Sequence, residues 1–342
     1  MLDFYYSNKL NSKIISGVNS VYNAILSLKN HINLFGYNQD DCRLIMTTIM
    51  KDYPELYYVN FNLIQYQPSS QGTGISLNYY DCDINLFEEK LDKICEEIDK
   101  SIRNDSTDYQ VIKAVYDVVV NNVSYDYDAF NRFGEVDQSS HDELQNYFDE
   151  YGTCFNMYGV IVNKKAVCMG IAHTMKYLLN RYRIEAAFLE CEHYADRLNS
   201  SETYPHAINV VEVQNEFYYL DASKGKLEDV NMIRYDFFMV NQERVENYYQ
   251  ITEQFDCNFD SIDYYKENDL IFDNVIKLRR FLESASYQKT NGLILFKYKG
   301  KVKKSYLEKV IKENVSRACG MLYELVGYVV IDNYGYCKIV KR

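Results

Sequence analysis

Three residues in the middle of the chain, Cys168, His206 and Asp221, could together perform nucleophilic chemistry on a carbonyl group. A cysteine attacks as a thiolate, and the unpaired N–H groups at a helix N-terminus lower the pKa of a thiol placed there. An imidazole can share the thiol proton, and a carboxylate on its other nitrogen fixes the tautomer. The set therefore predicts acyl transfer: Cys168 attacks an amide to form a thioester, and protonated His206 gives a proton to the leaving amine.

The cysteine is predicted to open a helix. From Cys168 to Tyr182 the apolar residues recur at helical spacing, whereas the preceding VIVNKKAV is too β-branched and basic to extend the helix upstream. Cys168 is thus predicted at the N-terminus of a buried helix. Its backbone N–H is there also one natural donor to the oxyanion of a tetrahedral intermediate.

A hairpin is predicted to bring the histidine and the aspartate together. The stretches IEAAFLEC, HAINVVEV and EFYYLDA are short and rich in β-branched or aromatic residues, which predicts an antiparallel sheet. A two-residue turn at residues 214–215 would pair Val213 with Glu216. In that register His206 and Asp221 share one face of neighbouring strands and can form a hydrogen bond.

Changes in hydrophobic pattern divide the α+β chain into three predicted parts. These are an N-terminal α+β region at 1–105, a catalytic core at 106–262 and a small C-terminal α+β unit at 263–342. The charged, aperiodic stretch from Asn131 to Tyr151 predicts a long surface loop leading into the site. The GTG at Gly72–Gly74 predicts a turn between two strands.

Composition narrows the possible partners. The 342 residues include 37 basic and 49 acidic side chains, a net charge of -12, which disfavours nucleic acid and anionic membranes as partners. No apolar stretch approaches the roughly 18 residues that cross a bilayer, and no export signal opens the chain, so the predicted location is the cytoplasm. Nine cysteines without a CxxC pair predict free thiols in a reducing compartment. The expected partner is a protein or peptide substrate, and the sequence does not indicate an oligomeric state.

Other residue sets are weaker candidates for the chemistry. His173 lies about 140° around the predicted helix from Cys168, a poor position for proton transfer. Cys191, His193 and His206 could be imagined as zinc ligands, but catalytic zinc needs three well-placed ligands and a supporting shell. No metal or other cofactor is therefore predicted.

The text MYGVIVNKKAVCMGIAHTMKYLL, followed by YPHAINVVEVQNEFYYLDAS, resembles the core of bacterial transglutaminase-like proteins, a papain-related superfamily. The resemblance covers about Asp108 to Tyr248 and rests on the order and spacing of several motifs. The upstream segment VSYDYD also resembles the one that precedes that core. The matching residues are Tyr158-Gly159, Lys165-Ala166-Val167-Cys168, Gly170, Ala172, His206-Ala207, Asn209 and Asp221.

The resemblance implies a papain-like core, in which the helix that bears the nucleophile packs on an antiparallel sheet, with α+β additions at both ends. It implies a Cys-His-Asp triad whose acyl acceptor is either water or an amine, so protease, deamidase and transglutaminase-like activities stay open. A catalytically silent binding or scaffold protein is the alternative, because Ile208 and Ser223-Lys224 depart from the family pattern. Low-ranking candidates for the oxyanion site or its lining are Tyr158, Asn163, Gly170 and Asn209.

Overall fold

The computed structural model describes residues 2–196, 199–228, 231–253, 255–284, 292–319 and 323–341. The helices are α1 Ser12–Leu26, α2 Gln39–Asp52, α3 Ile84–Ser101, α4 Asp108–Asn122, α5 Tyr127–Phe133, α6 His141–Tyr151, α7 Cys168–Arg181, α8 Gln242–Glu246, α9 Tyr264–Glu267, α10 Val275–Glu283 and α11 Lys304–Cys319. The strands are β1 His31–Phe35, β2 Gln65–Ser69, β3 Gly72–Ser76, β4 Ser124–Tyr125, β5 Lys165–Ala166, β6 Ala186–Asp196, β7 Asn199–Val213, β8 Glu216–Leu220, β9 Lys226–Leu227, β10 Met232–Ile233, β11 Tyr249–Ile251, β12 Ile271–Phe272, β13 Leu293–Tyr298, β14 Tyr323–Ile331 and β15 Tyr334–Lys341. The fold is therefore mixed α+β.

The chain forms two compact units. The first unit is Met1–Ser223 with Asn241–Asn258, and the second is Lys224–Val240 with Phe259–Arg342. The three-part division drawn from the sequence stays a prediction. Among the described residues, no helix combines the length and the apolar character that crossing a membrane requires.

The N-terminal part of the first unit packs helices α1 and α2 against a three-stranded antiparallel sheet of order β1-β3-β2. The prediction that Gly72–Gly74 form the turn between strands is wrong, because these residues belong to the central strand β3. A Cβ on Gly72 would lie 2.2 Å from the carbonyl oxygen of Leu34, so the glycine permits the close approach of β1. The turn itself lies just upstream of Gly72.

The predicted long loop between Asn131 and Tyr151 is also wrong. The segment contains the end of α5 and the whole of α6, and Ser140 caps α6 by accepting a hydrogen bond from the backbone N–H of Glu143. Tyr147 and Phe148 of α6 are buried in an aromatic cluster. A few aromatic side chains bury one face of the otherwise charged helix α6. The sequence pattern of this segment did not indicate a helix.

A second, four-stranded sheet in the first unit has the order β11-β6-β7-β8, and all its pairings are antiparallel. The predicted hairpin is confirmed, since Val213 pairs with Glu216 across a turn in which Gln214 and Asn215 both have positive φ angles, 55° and 64°. Helix α7 contacts both β6 and β7. The helix that begins at Cys168 therefore lies on the strands that carry His206.

The second unit contains a sheet of order β12-β13-β15-β14 packed with α10 and α11. Its core includes Leu278, Phe296 and Ile311, all fully buried. Along the chain its larger elements are α10, β13, α11, β14 and β15, a mixture of helices and strands.

Candidate active site

Helix α7 holds the sulfur of Cys168 in a fixed, buried position. The helix begins at Cys168, as predicted, after Val167 in an extended conformation. A Cβ on Gly170 would lie 2.6 Å from the carbonyl oxygen of Cys154 and 2.8 Å from that of Asn156. The glycine therefore lets the first turn of the helix press against the preceding segment, and this contact fixes where the thiol lies.

The hairpin brings a histidine and a carboxylate to that thiol. His206 Nε2 lies 2.9 Å from Asp221 Oδ2, and both side chains are buried. The imidazole of His206 and the thiol of Cys168 are close enough for each to shift the pKa of the other. Because Nε2 is bonded to Asp221, Nδ1 is the ring nitrogen that remains for Cys168. The structure thus brings together all three residues that the sequence analysis singled out.

Further donors surround the carboxylate of Asp221. Its Oδ1 accepts hydrogen bonds from the backbone N–H of Ser223 at 2.9 Å and from the Ser223 hydroxyl at 2.6 Å. Its Oδ2 accepts one from the Tyr249 hydroxyl at 2.5 Å, in addition to the contact with His206. Both oxygens are therefore fixed in direction, and so is the imidazole that contacts one of them.

The charges of the cluster favour an ion pair. Burial alone would lower the pKa of His206, but the negative charges of Cys168 and Asp221 outweigh it and raise that pKa to about 10. Burial alone would raise the pKa of Cys168, but His206 and the backbone N–H of Ala207 outweigh it and lower that pKa. Both shifts favour a thiolate beside an imidazolium, which is the reactive form of a cysteine nucleophile.

Tyr125 is a site residue that the sequence analysis missed. Its side chain packs against the buried cluster that contains Cys168, and burial, followed by the charge of Cys168, raises the pKa of Tyr125 far above its usual value. The short strand β4 positions it by pairing in parallel with β5, immediately ahead of Cys168. The segment VSYDYD was noted only for its resemblance, and nothing local in it marks Tyr125 as a hydrogen-bond donor to the site.

A cleft of about 490 Å³ opens on Cys168 and His206. One wall is apolar and largely aromatic, and the other carries the acidic residues of β6. The residues that line it besides these two are Asn62, Phe130, Phe133, Phe155, Val167, Met169, Glu190, Cys191, Glu192, Pro205, Ala207 and Thr252. The volume lies within the roughly 300–1,000 Å³ typical of clefts that bind small ligands.

Two residues predicted as oxyanion donors lie elsewhere. Tyr158 packs against Phe87, with ring centroids 6.2 Å apart and nearly parallel planes. Asn163 donates a hydrogen bond to Thr153 Oγ1 at 3.0 Å. Neither side chain lines the cleft. Both are used in packing or in bonding the segment that precedes the active helix.

Asn209 and Gly170, predicted as lining residues, have structural positions instead. The Asn209 side chain donates hydrogen bonds to the carbonyl oxygens of Ala172 at 2.9 Å and Ala187 at 3.3 Å, and so ties α7 to β6. Gly170 serves the close approach described above and does not line the cleft. Both residues help to place Cys168 relative to the sheet.

The two other nearby histidines do not contact the thiol. His173 is buried and stacks on Phe188 with ring centroids 4.3 Å apart. The ring of His193 lies 5.7 Å from that of His206. In the part of the chain that the structure describes, no group of three or more His, Cys, Asp or Glu side chains is arranged to hold a metal ion.

No protein-family model matches the sequence, and the curated proteins include no significant match. Among solved structures, the chain is similar to a "TGase", with a TM-score of 0.32 and 19% identity over 47% of this chain and 44% of the other. It is also similar to a provisionally identified cysteine protease from Cytophaga hutchinsonii (TM-score 0.27, 16% identity, 55% and 65% covered). A third similar structure is a provisionally identified protease from Parabacteroides distasonis. Its TM-score is 0.23 and its identity 10%, over 47% of this chain and 35% of the other. The chain thus spans less than two thirds of each of these proteins, and such TM-scores do not establish a shared fold.

Proposed function

We propose that this chain is a cysteine-dependent acyltransferase or hydrolase of the transglutaminase-like type. Cys168 is the nucleophile, and His206 is the general acid and base. Asp221 orients the imidazole and stabilises its protonated form. The observation that carries the proposal is that Cys168 and His206 line the same cleft, and that His206 Nε2 lies 2.9 Å from Asp221 Oδ2. The sequence resemblance independently supports the same three residues.

The reaction begins when the Cys168 thiolate attacks an amide carbonyl of a peptide or glutamine side chain. A C–S bond forms, and the imidazolium of His206 gives its proton to the departing nitrogen as the C–N bond breaks. The products are a thioester on Cys168, a free amine or ammonia, and neutral His206. Water or a second amine then loses a proton to His206 and attacks the thioester, which restores the thiolate and the imidazolium.

Two donors support the oxyanion of the tetrahedral intermediate. The backbone N–H of Cys168 is at the start of α7, and the Tyr125 side chain packs against the cluster that contains Cys168. An oxygen held between them would accept two hydrogen bonds in a buried site, where each donor strongly stabilises developing charge. In this proposal Tyr125 takes the role that the sequence analysis gave to Tyr158 or Asn163.

The silent scaffold remains the competing function. Its sequence argument loses weight at Ser223, because this departure from the family pattern supplies two hydrogen bonds to Asp221. Ile208 is fully buried beside the sheet and does not line the cleft. Both departures therefore have structural explanations compatible with turnover.

The test compares wild type with Cys168→Ala in three parallel assays: peptide cleavage, ammonia release from glutamine peptides, and incorporation of a labelled primary amine. We expect at least one activity in the wild type and none in the variant. Mapping iodoacetamide adducts across the nine cysteines should show Cys168 reacting about tenfold faster than the others near neutral pH. A Cys168 that reacts no faster than the rest, with no activity that depends on it, would favour the scaffold.

A further inference from the structure

Strand β11 places a tyrosine against the proposed catalytic residues. Tyr249 is almost fully buried and pairs in register with His193 of β6. Its hydroxyl donates to Asp221 Oδ2 at 2.5 Å, and its ring lies nearly parallel to the imidazole of His206, with centroids 5.3 Å apart. One side chain therefore touches two of the three proposed catalytic residues.

The hydroxyl of Tyr249 and the imidazole of His206 share one carboxylate oxygen. His206 Nε2 lies 2.9 Å from Asp221 Oδ2, the atom that also accepts from Tyr249. A donor on that oxygen disperses part of its negative charge, so the oxygen holds an imidazolium less strongly. Ser223 acts in the same direction through the other oxygen, Oδ1.

The ring of Tyr249 restricts the orientation of His206. The two planes differ by only 3° and the centroids are 5.3 Å apart, so the tyrosine ring lies in parallel contact with the imidazole. A tilt of the imidazole would break this parallel contact and lengthen the bond from Nε2 to Asp221. The contact thus keeps one ring nitrogen directed to Asp221 and the other to Cys168.

Several titratable groups lie around the imidazole, and of these Cys168 and Asp221 raise the pKa of His206. The groups come from α7, β4, β6 and the residue after β8, namely Cys168, Tyr125, Cys191, His193 and Asp221. Asp221 is the anionic carboxylate of this set, and it is the group to which the Tyr249 hydroxyl is bonded.

We propose that Tyr249 is a positioning residue for the acyl transfer: it aligns Asp221 with His206 and limits the strength of their ion pair. The inference rests on the proposed function of Cys168. A limit on the ion pair is useful in this reaction, because the imidazolium must surrender its proton to the leaving nitrogen in every cycle.

Tyr249→Phe keeps the ring and removes only the shared donor. We expect the His206 imidazolium to persist to a pH about 0.5 units higher than in the wild type, or more, because Asp221 then holds it more strongly. The pH midpoint for iodoacetamide alkylation of Cys168 should move down, since a stronger imidazolium favours the thiolate. The titration of ¹⁵N-histidine by NMR, assigned with His206→Ala, gives the first quantity, and alkylation rates give the second.

Tyr219→Phe is the matched control. Tyr219 is equally buried in the same sheet, and its hydroxyl donates to Gln242 Oε1 at 3.0 Å, away from the imidazole. This variant should lose a comparable hydrogen bond without moving either titration. Ser223→Ala removes a donor from Asp221 Oδ1 and should shift both midpoints in the same directions as Tyr249→Phe, so the test survives if one variant folds poorly.

Unmoved titrations of His206 in both Tyr249→Phe and Ser223→Ala would overturn the positioning role, as would a shift of the same size in Tyr219→Phe. The NMR titration needs no turnover, so it reports on Tyr249 whether or not the chain is an enzyme. An unreactive wild-type Cys168 would overturn the proposed function separately. The two failures are therefore distinguishable.

Discussion

Two buried histidines in the first unit titrate in opposite directions. The pKa of His206 is raised to about 10, and the pKa of His173 is lowered to about 3. Burial acts against the charged form of both, but His206 faces the negative charges of Cys168 and Asp221, whereas His173 faces the positive charge of Lys176. The contrast teaches that neighbouring charges, and not burial, decide which buried histidine can serve as an acid.

His173 lies among buried groups that contribute to packing and to an ion pair. In the described part of the chain its Nε2 has no hydrogen-bond partner. Lys176, three residues along α7, is completely buried, and its Nζ donates to the carbonyl oxygens of Lys51 and Asp52 at 2.9 Å each. The carboxylate of Asp52 lies 3.7 Å from the same nitrogen. Helix α7 thus carries the proposed nucleophile at its first residue and one member of a buried ion pair near its middle.

Replacing each histidine in turn and comparing the activities tests the comparison most strongly. We expect His206→Ala to lower acyl transfer by about 10²- to 10⁴-fold, because general acid–base catalysis is lost. His173→Phe should leave the rate within about twofold, since a phenyl ring keeps the stacking on Phe188. Steady-state rates of both variants provide the check. A large loss of activity in a well-folded His173→Phe protein would contradict the assignment.

Removal of the buried cation should damage stability more than catalysis. Lys176→Met leaves the carboxylate of Asp52 buried without its cation, which we expect to reduce the free energy of unfolding by about 3 kcal/mol. Lys93→Met is the control, because Lys93 forms an exposed pair with Glu89 on α3. Urea denaturation followed by circular dichroism measures both. Equal stabilities for the two variants would show that the buried pair does not anchor α7.

The raised pKa of His206 predicts an upper pH limit for turnover. An imidazolium is needed to protonate the leaving amine, so the rate on an amide should fall by about tenfold per pH unit above about pH 10. Alkylation of Cys168 should not fall there, because the thiolate remains. The raised pKa of His206 also adds stability to the folded state that is fully present below pH 6.5 and is lost as pH rises through about 10. Parallel pH profiles of turnover and alkylation test the prediction, and a common decline would contradict it.

The smallest expected effect is on acid stability. His173 has a folded pKa of about 3 against an ordinary value of 6.5, so the unfolded chain takes up a proton that the folded chain refuses. Stability from this group is present above pH 6.5 and is lost as pH falls toward 3. Between pH 7 and pH 5.5 the wild type should lose about 1 kcal/mol more than His173→Phe. Chemical denaturation at the two pH values measures this difference, and equal losses would exclude the effect.

Features that depend on local pattern were predictable from the sequence. The helix beginning at Cys168 follows from periodicity, and the pairing of Val213 with Glu216 follows from a two-residue turn. That register also indicated that His206 and Asp221 could meet, and they lie 2.9 Å apart. Each of these inferences needed only a few neighbouring residues and the repeat of a helix or a strand.

Features that depend on distant pairing were not predictable. Tyr249 reaches Asp221 only because β11 pairs with β6, and among 35 tyrosines nothing in its local sequence marks it. Tyr125 likewise reaches Cys168 through the pairing of β4 with β5. Asn209 was chosen as a lining residue because it follows the HA motif, yet its amide is used in bonding α7 to the sheet.

The position of β11 at the edge of the sheet bears on how the protein is made. A chain interrupted after Ser223 would already contain the cysteine, the histidine and the aspartate, but not the strand that carries Tyr249. During synthesis the cysteine, the histidine and the aspartate are therefore made before the segment that carries Tyr249. If Tyr249 has the positioning role proposed for it, His206 is aligned only after the ribosome has passed Ile251 and β11 has joined the sheet.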